Sequence, residues 1–171
     1  MTTDLPAAAT CPIRVASMSG FSGKPSTLVD LNIENDGFWP DLSVSEFQRG
    51  YRLPGEYAAD MLVADLSTAM HEVNLDLAKL KARWQDVGVS NVESADSTVL
   101  PERTFQASLY KRAVYTRAKA SLLTQFATVT RREVAENTGK EAPERAEAFL
   151  VFSQQAVRAL QGRGRMTAVL L

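Results

Sequence analysis

Seven apolar residues, Leu62, Leu66, Ala69, Val73, Leu77, Leu80 and Trp84, recur at intervals of three or four along the middle of this 171-residue chain. An α-helix turns once every 3.6 residues, so this spacing lays all seven on one stripe and predicts a long amphipathic helix over residues 55–86. Glu72, Asp76, Lys79 and Arg83 fall largely off the stripe, and Gly88 supplies a stop.

The neighbouring segments read as helices that cover this stripe. Phe38-Trp39-Pro40-Asp41 opens the ordered body, and Asp41 or Ser43 can cap a short helix through residue 50 that carries Val44 and Phe47 on one face. Pro101 and Glu102 open a third helix over 101–126. Phe105, Leu109, Ala113, Ala120 and Leu123 mark one face of it and Tyr110, Val114, Ala118 and Leu122 another, so it is expected to sit between neighbours. A fourth helix is expected over 142–161, with Pro143 tolerable only in its first turn and Phe149, Phe152, Ala156 and Leu160 as its stripe. Polar stretches at 90–100 and 128–140 read as loops. The expected fold class is therefore mainly α: a small bundle of about four helices over 38–161, an extended N-terminal arm over 1–37 and an extended C-terminal tail over 162–171.

The arm is rich in Ala, Ser, Thr, Gly and Pro, with short β-branched or apolar stretches at 11–15 and 27–33. Its sparse charge suits a segment lying on a partner better than a solvated linker. Composition narrows the rest. A hydrophobic fraction of 45% and a charged fraction of 23% match a chain that buries a core. Nineteen Lys and Arg against twenty Asp and Glu leave a formal charge of −1, so no whole-molecule attraction draws it to nucleic acid or an anionic membrane. Cys11 is the only cysteine, which excludes an internal disulfide or a cysteine-based zinc site and makes a reducing cytoplasm the expected setting. Residues 1–10 lack the basic patch and apolar run of a secretory signal, and no run reaches the ~18 apolar residues of a membrane span.

No catalytic constellation, cofactor motif or metal site emerges. His71-Glu72 begins like a zinc-protease motif, but the position for its second histidine is Leu75. Gly23-Lys24 lacks the glycine and the serine or threonine of a phosphate-binding loop, because those positions are Met18 and Pro25. The charge that rises above background is the basic third helix and its flanks, with Arg103, Lys111, Arg112, Arg117, Lys119, Arg131 and Arg132. A DNA-binding regulator using that helix is the alternative reading. Long cations spread round a packed helix instead suit pairing with acidic neighbours.

Several blocks together, Phe38-Trp39-Pro40-Asp41, Ala69-Met70-His71-Glu72-Val73-Asn74 with Leu77, Tyr110-Lys111-Arg112-Ala113-Val114-Tyr115 with residues 118–122, and Gly164-Arg165-Met166-Thr167-Ala168-Val169, resemble the head-completion (head-stabilisation, GPL) proteins of tailed bacteriophages over residues 38–171. The resemblance implies a structural protein of the virion neck, not an enzyme, assembled in the host cytoplasm. Its expected partners are the portal protein, further copies of itself in a ring of twelve, a tail-completion or neck protein, and genomic DNA that passes without sequence-specific contact; no membrane is involved. Within that frame the tail is expected to dock on the portal through Arg163, Arg165, Met166, Val169, Leu170 and Leu171. Phe38, Trp39 and Asp41 mark the junction of arm and body, and Glu72, Asp76 and Lys79 are the candidates to face the DNA channel.

Overall fold

The computed structural model describes residues 28–53, 57–95, 105–130 and 138–164. A short antiparallel ladder joins β1 (Asn32–Ile33) to β2 (Leu42–Ser43); α1 (Val44–Gly50), α2 (Ala59–Asp86), a 3-10 turn (Val92–Ser94), α3 (Phe105–Thr130) and α4 (Thr138–Leu160) follow. This is the expected mainly α bundle. Residues 1–27 of the arm, the proline start at 101–104 and tail residues 165–171 lie outside the described residues.

The stripe on α2 does what its spacing predicts. Leu62, Leu66, Ala69, Val73, Leu77 and Leu80 are buried and Trp84 is half-buried against the same core. Each large aliphatic side chain among them contributes about 1.5–3 kcal/mol on leaving water. α3 runs antiparallel to α2, for Tyr110 meets Asn74 at one end while Ser121 and Gln125 meet Asp65 at the other. It also runs antiparallel to α4, with Arg112 over the Phe152 ring and Lys119 over the Phe149 ring. Lying between two helices, α3 buries Tyr110, Val114, Tyr115 and Leu122 as well as Ala113, Ala118 and Ala120, whose small side chains let its neighbours approach.

Elsewhere the boundaries and faces differ from expectation. The loop expected over 128–140 is shorter, because α3 continues to Thr130 and α4 starts at Thr138. Pro143 therefore stands in the second turn of α4, not the first, where it removes one backbone hydrogen bond. The stripe assigned to α4 is also rotated. Phe152 is exposed, and the face turned inward carries Ala146, Ser153, Ala156, Val157 and Leu160. Ser153 takes that place because α4 comes close enough for its hydroxyl to donate to the Ala113 carbonyl at 2.8 Å, leaving no room for a ring. The 90–100 loop is not wholly exposed either: Val92 is buried, and its N–H donates to the Phe38 carbonyl at 3.0 Å.

Three helices end in one shared way. At α2, Gly88 stands at φ +85° while its N–H reaches Gln85 O and the Val89 N–H reaches Trp84 O, both at 2.9 Å. Gly162 closes α4 with the same pair of bonds, to Ala159 O and from Arg163 to Arg158 O. These are Schellman caps, which need a residue in the left-handed region. At α1 that residue is Arg52, at φ +49°, with Leu53 N–H bonded to Gln48 O. An L-residue with a Cβ is strained there by about 1–2 kcal/mol. Arg52→Gly is expected to raise unfolding free energy by about 0.5–1 kcal/mol, part of the relieved strain being lost to a more flexible unfolded chain. Gly88→Ala is expected to lower it by about 1–2 kcal/mol. Denaturant titration of both variants checks the pair; equal effects of the same sign would contradict the cap assignment.

Candidate assembly surfaces

The junction between the N-terminal segment and the bundle is built by a turn. Asp36 accepts hydrogen bonds from the N–H groups of Phe38 (3.0 Å) and Trp39 (3.1 Å) and pairs with Lys81 of α2 at 2.7 Å. Burial acts to raise the Asp36 carboxyl, but the Lys81 bond and the two N–H donors outweigh it and hold the group below its ordinary 3.8. The turn inserts Phe38 and Trp39 into the core, where Trp39 stacks on Tyr110 at 4.7 Å and Phe38 stacks on Trp84 at 6.1 Å. Asp41, exposed, accepts the Asn35 N–H at 2.9 Å, while Ser43 is the residue that caps α1. Phe38 and Trp39 thus anchor the junction from inside the protomer, and Asp41 remains on its surface.

Above that stack lies a closed ring of hydrogen bonds. The Asn35 amide donates to the Tyr110 hydroxyl (2.8 Å), that hydroxyl donates to Asn74 Oδ1 (2.6 Å), and the Asn74 amide donates back to Asn35 Oδ1 (3.0 Å). It ties the segment before the turn to α2 and α3 at once. Sequence reasoning missed it; the signals were Asn35-Asp36-Gly37, a turn-forming run, and an asparagine next to a helix stripe.

Three of the four basic residues of α3 make polar contacts inside the protomer. Lys111 pairs with Glu46 of α1 at 2.8 Å, beside the Tyr115 hydroxyl at 3.2 Å from the same oxygen. Arg117 bridges three helices, donating to Asp76 of α2 at 2.7 Å and to Ser153 of α4 at 3.2 Å, with Glu72 at 3.5 Å. Lys119 donates to Tyr51 O at the C-terminal end of α1, where a cation suits the helix dipole, and lies over the Phe149 ring at 4.6 Å. Arg112 lies over Phe152 at 5.8 Å. Arg103, Arg131 and Arg132 are outside the described residues. An α3 so occupied lacks the open basic face that a DNA-reading helix needs.

Of the other residues singled out, Glu72 and Asp76 project from α2 toward Arg117, and Lys79 is exposed further along the same helix. Arg163 is exposed just past the α4 cap; Arg165, Met166, Val169, Leu170 and Leu171 lie outside the described residues. No group of histidines, cysteines and carboxylates suited to a metal occurs among the described residues, and no described helix is long and apolar enough to cross a membrane.

The buried tyrosines set an alkaline limit. Burial raises both hydroxyls above the ordinary 10.0; at Tyr110 the nearby Asp36 charge adds to it, and at Tyr115 the Glu46 charge does. The folded chain therefore holds these protons after the unfolded chain has lost them, so their contribution is complete below pH ~10 and drains away as pH rises beyond it. Tyr110→Phe is expected to lose about 1–3 kcal/mol at neutral pH, since it leaves one Asn35 amide N–H and Asn74 Oδ1 without the hydroxyl, while the other Asn35 N–H keeps the Pro40 carbonyl, and to flatten the fall in stability above pH ~10. Urea melts from pH 7 to 11 test both effects.

The sequence profile of the phage head completion protein (GPL) family matches residues 33–171. Over 151 residues the chain is 33% identical to a probable head completion/stabilization protein of Haemophilus phage HP1 (strain HP1c1), covering 88% of this chain and 99% of that protein. No solved structure gives a significant match. With nearly the whole bundle inside the profile and nearly the whole length of the relative aligned, this chain belongs to the phage head completion protein (GPL) family.

Proposed function

We propose that this chain, a head completion protein, adds beneath the portal ring of a DNA-filled head. There it forms a ring of twelve copies, extends the DNA channel, keeps the genome in and offers the surface on which a tail-completion or neck protein sits. Its place is the virion neck, reached after assembly in the host cytoplasm. The observation that carries this reading is the fate of the charges. Three of the four cations of α3, Lys111, Arg117 and Lys119, are spent on Glu46, Asp76 and Tyr51 within the protomer, while large apolar side chains remain outside, among them Leu150, Val151 and Phe152 in succession on α4. Such a surface suits contact with other proteins more than a grip on phosphate. A channel wall made by α2 through Glu72, Asp76 and Lys79 is nearly neutral on balance, because Arg117 offsets the two carboxylates, and DNA can slide past it.

The tail is the proposed portal anchor. Gly162 and Gly164 let the chain leave α4 sharply, and in an extended segment Met166, Ala168 and Leu170 alternate with Thr167, Val169 and Leu171, so one set can enter pockets while main-chain groups add to a strand edge. Arg163 and Arg165 can pair with acidic residues at the rim. Deleting residues 165–171 is expected to leave helical content and melting unchanged yet abolish capture by portal rings and yield heads that lose DNA. Circular dichroism with a portal pull-down tests this: a deletion that still loads, or one that unfolds the bundle, overturns the anchor. A mobility shift of duplex DNA at physiological salt, with no portal capture, would favour a DNA-binding regulator instead.

A further inference from the structure

The β1–β2 ladder is closed on one side and open on the other. On the β2 side, the Ser43 N–H donates to the Tyr115 hydroxyl at 3.3 Å. On the β1 side, the Val44 N–H donates to the Leu31 carbonyl at 2.9 Å, and the register sets Asn32 opposite Ser43 and Ile33 opposite Leu42. Main-chain bonds alternate along an antiparallel pair, so Leu31 and Ile33 turn theirs toward β2 while Asp30, Asn32 and Glu34 turn their N–H and C=O groups away. These three residues are exposed, and no hydrogen bond joins their main-chain groups to another described residue. Such an edge is a template for a further strand. Its side chains alternate too. Val29, Leu31 and Ile33 share one face, where Val29 and Ile33 pack on the core and Leu31 stays 47% exposed, and Asp30, Asn32 and Glu34 share the other. Leu28, at the start of the edge, is 42% exposed.

We propose that residues 13–18 of the same chain fold back antiparallel on the outer edge of β1 as a third strand, with Val15 opposite Leu31. This register sets Ile13 beside Ile33 and Met18 beside Leu28, so both exposed leucines of the edge gain apolar neighbours. It also sets Arg14 opposite Asn32 and diagonal to Asp30 and Glu34, within reach of a long side chain. Charge selects the same segment. After Asp4 the chain carries no acid until Asp30, only Arg14 and Lys24. Asp30 and Glu34 form no ion pair with a described residue, whereas Asp36 and Glu46 are taken by Lys81 and Lys111. Arg49, the next cation along the chain, is turned to the Ser45 carbonyl of its own helix at 3.4 Å. Both ends of the match have a stop. Pro12 falls at a bonded position opposite Glu34 and has no N–H to give, so pairing ends there. At the other end the register centres the connection on Ser22-Gly23-Lys24, a three-residue loop with the glycine such loops use. A segment on the same chain, one short loop away, is present at a far higher effective concentration than any free second copy. The inference goes beyond the neck reading and does not rest on it. It gives these residues a place on their own protomer instead of on a partner, and it closes an edge through which free copies would otherwise pair.

The test uses the full chain, purified and dilute. In Cys11→Ser, Val15→Cys, Leu31→Cys the two thiols form a directly opposed pair without main-chain bonds between them, the closer kind in an antiparallel ladder. Mild oxidation is expected to consume both thiols and leave a monomer on a non-reducing gel. Cys11→Ser, Arg14→Cys, Leu31→Cys places the thiols on opposite faces and is expected to stay reduced. A disulfide that joins two chains, equal oxidation of both pairs, or none in either overturns the proposal. Hydrogen exchange supplies a second measurement that needs no new cysteine. In this register the Ala16 N–H donates to the Asp30 carbonyl, so Ala16→Pro is expected to speed exchange of the Asp30 and Asn32 N–H groups at least about tenfold while the Ile33 N–H, turned to β2, keeps its protection. Asp30 and Asn32 amides that already exchange in the parent as fast as in an unfolded chain sink the third strand. Neither measurement involves the portal, so its outcome is read separately from portal capture.

Discussion

The Tyr110 hydroxyl is buried where three stretches of the chain meet, and the fold depends on its finding partners there. A hydroxyl taken out of water without a hydrogen bond is heavily penalised. Here it accepts from Asn35 and donates to Asn74, and the two amides complete the ring between themselves. Because each group both gives and receives, none of the three can be displaced without stranding another. That sets the register of α2 against α3 at one level, and it fixes the segment carrying β1. The Trp39 indole can then lie flat on the Tyr110 ring, 6° from parallel, and the Asp36 turn that delivers it is held from the far side by Lys81. β2 and α1 follow directly from the turn, so their position on the bundle is inherited from this anchor.

How much of this was legible depended on how one-sided each element is. α2 has a single buried face, so its periodicity named the core residues and their burial followed. α3 showed apolar residues on two faces and was correctly placed between neighbours. α4 defeated the same procedure, because ranking positions by apolar size selects Phe152, whereas closeness to Ala113 selects Ser153. Boundaries are poorly marked where the polar run 128–140 reads as a loop, because its two ends, 128–130 and 138–140, are helical. The polar ring could not be read at all: Asn35, Asn74 and Tyr110 are 39 and 36 residues apart, and nothing local makes an asparagine at a helix edge look committed. The α1 cap was open between Asp41 and Ser43, and the structure divides the work by giving Asp41 the Asn35 N–H.

Charge was the most misleading property when read along the chain. A run of lysines and arginines invites a nucleic-acid reading, yet each cation's meaning depends on what the fold sets opposite it. Arg117, with 15% of its side chain exposed, serves as a strut from α3 to both α2 and α4, and Gln161 adds a second tie by donating to the Asp76 carbonyl. Removing its charge would leave Asp76 and Glu72 side by side on α2, four residues apart, where like charges repel. The basic helix is therefore part of what holds the bundle shut, through Lys111 to α1 and Arg117 to α2 and α4.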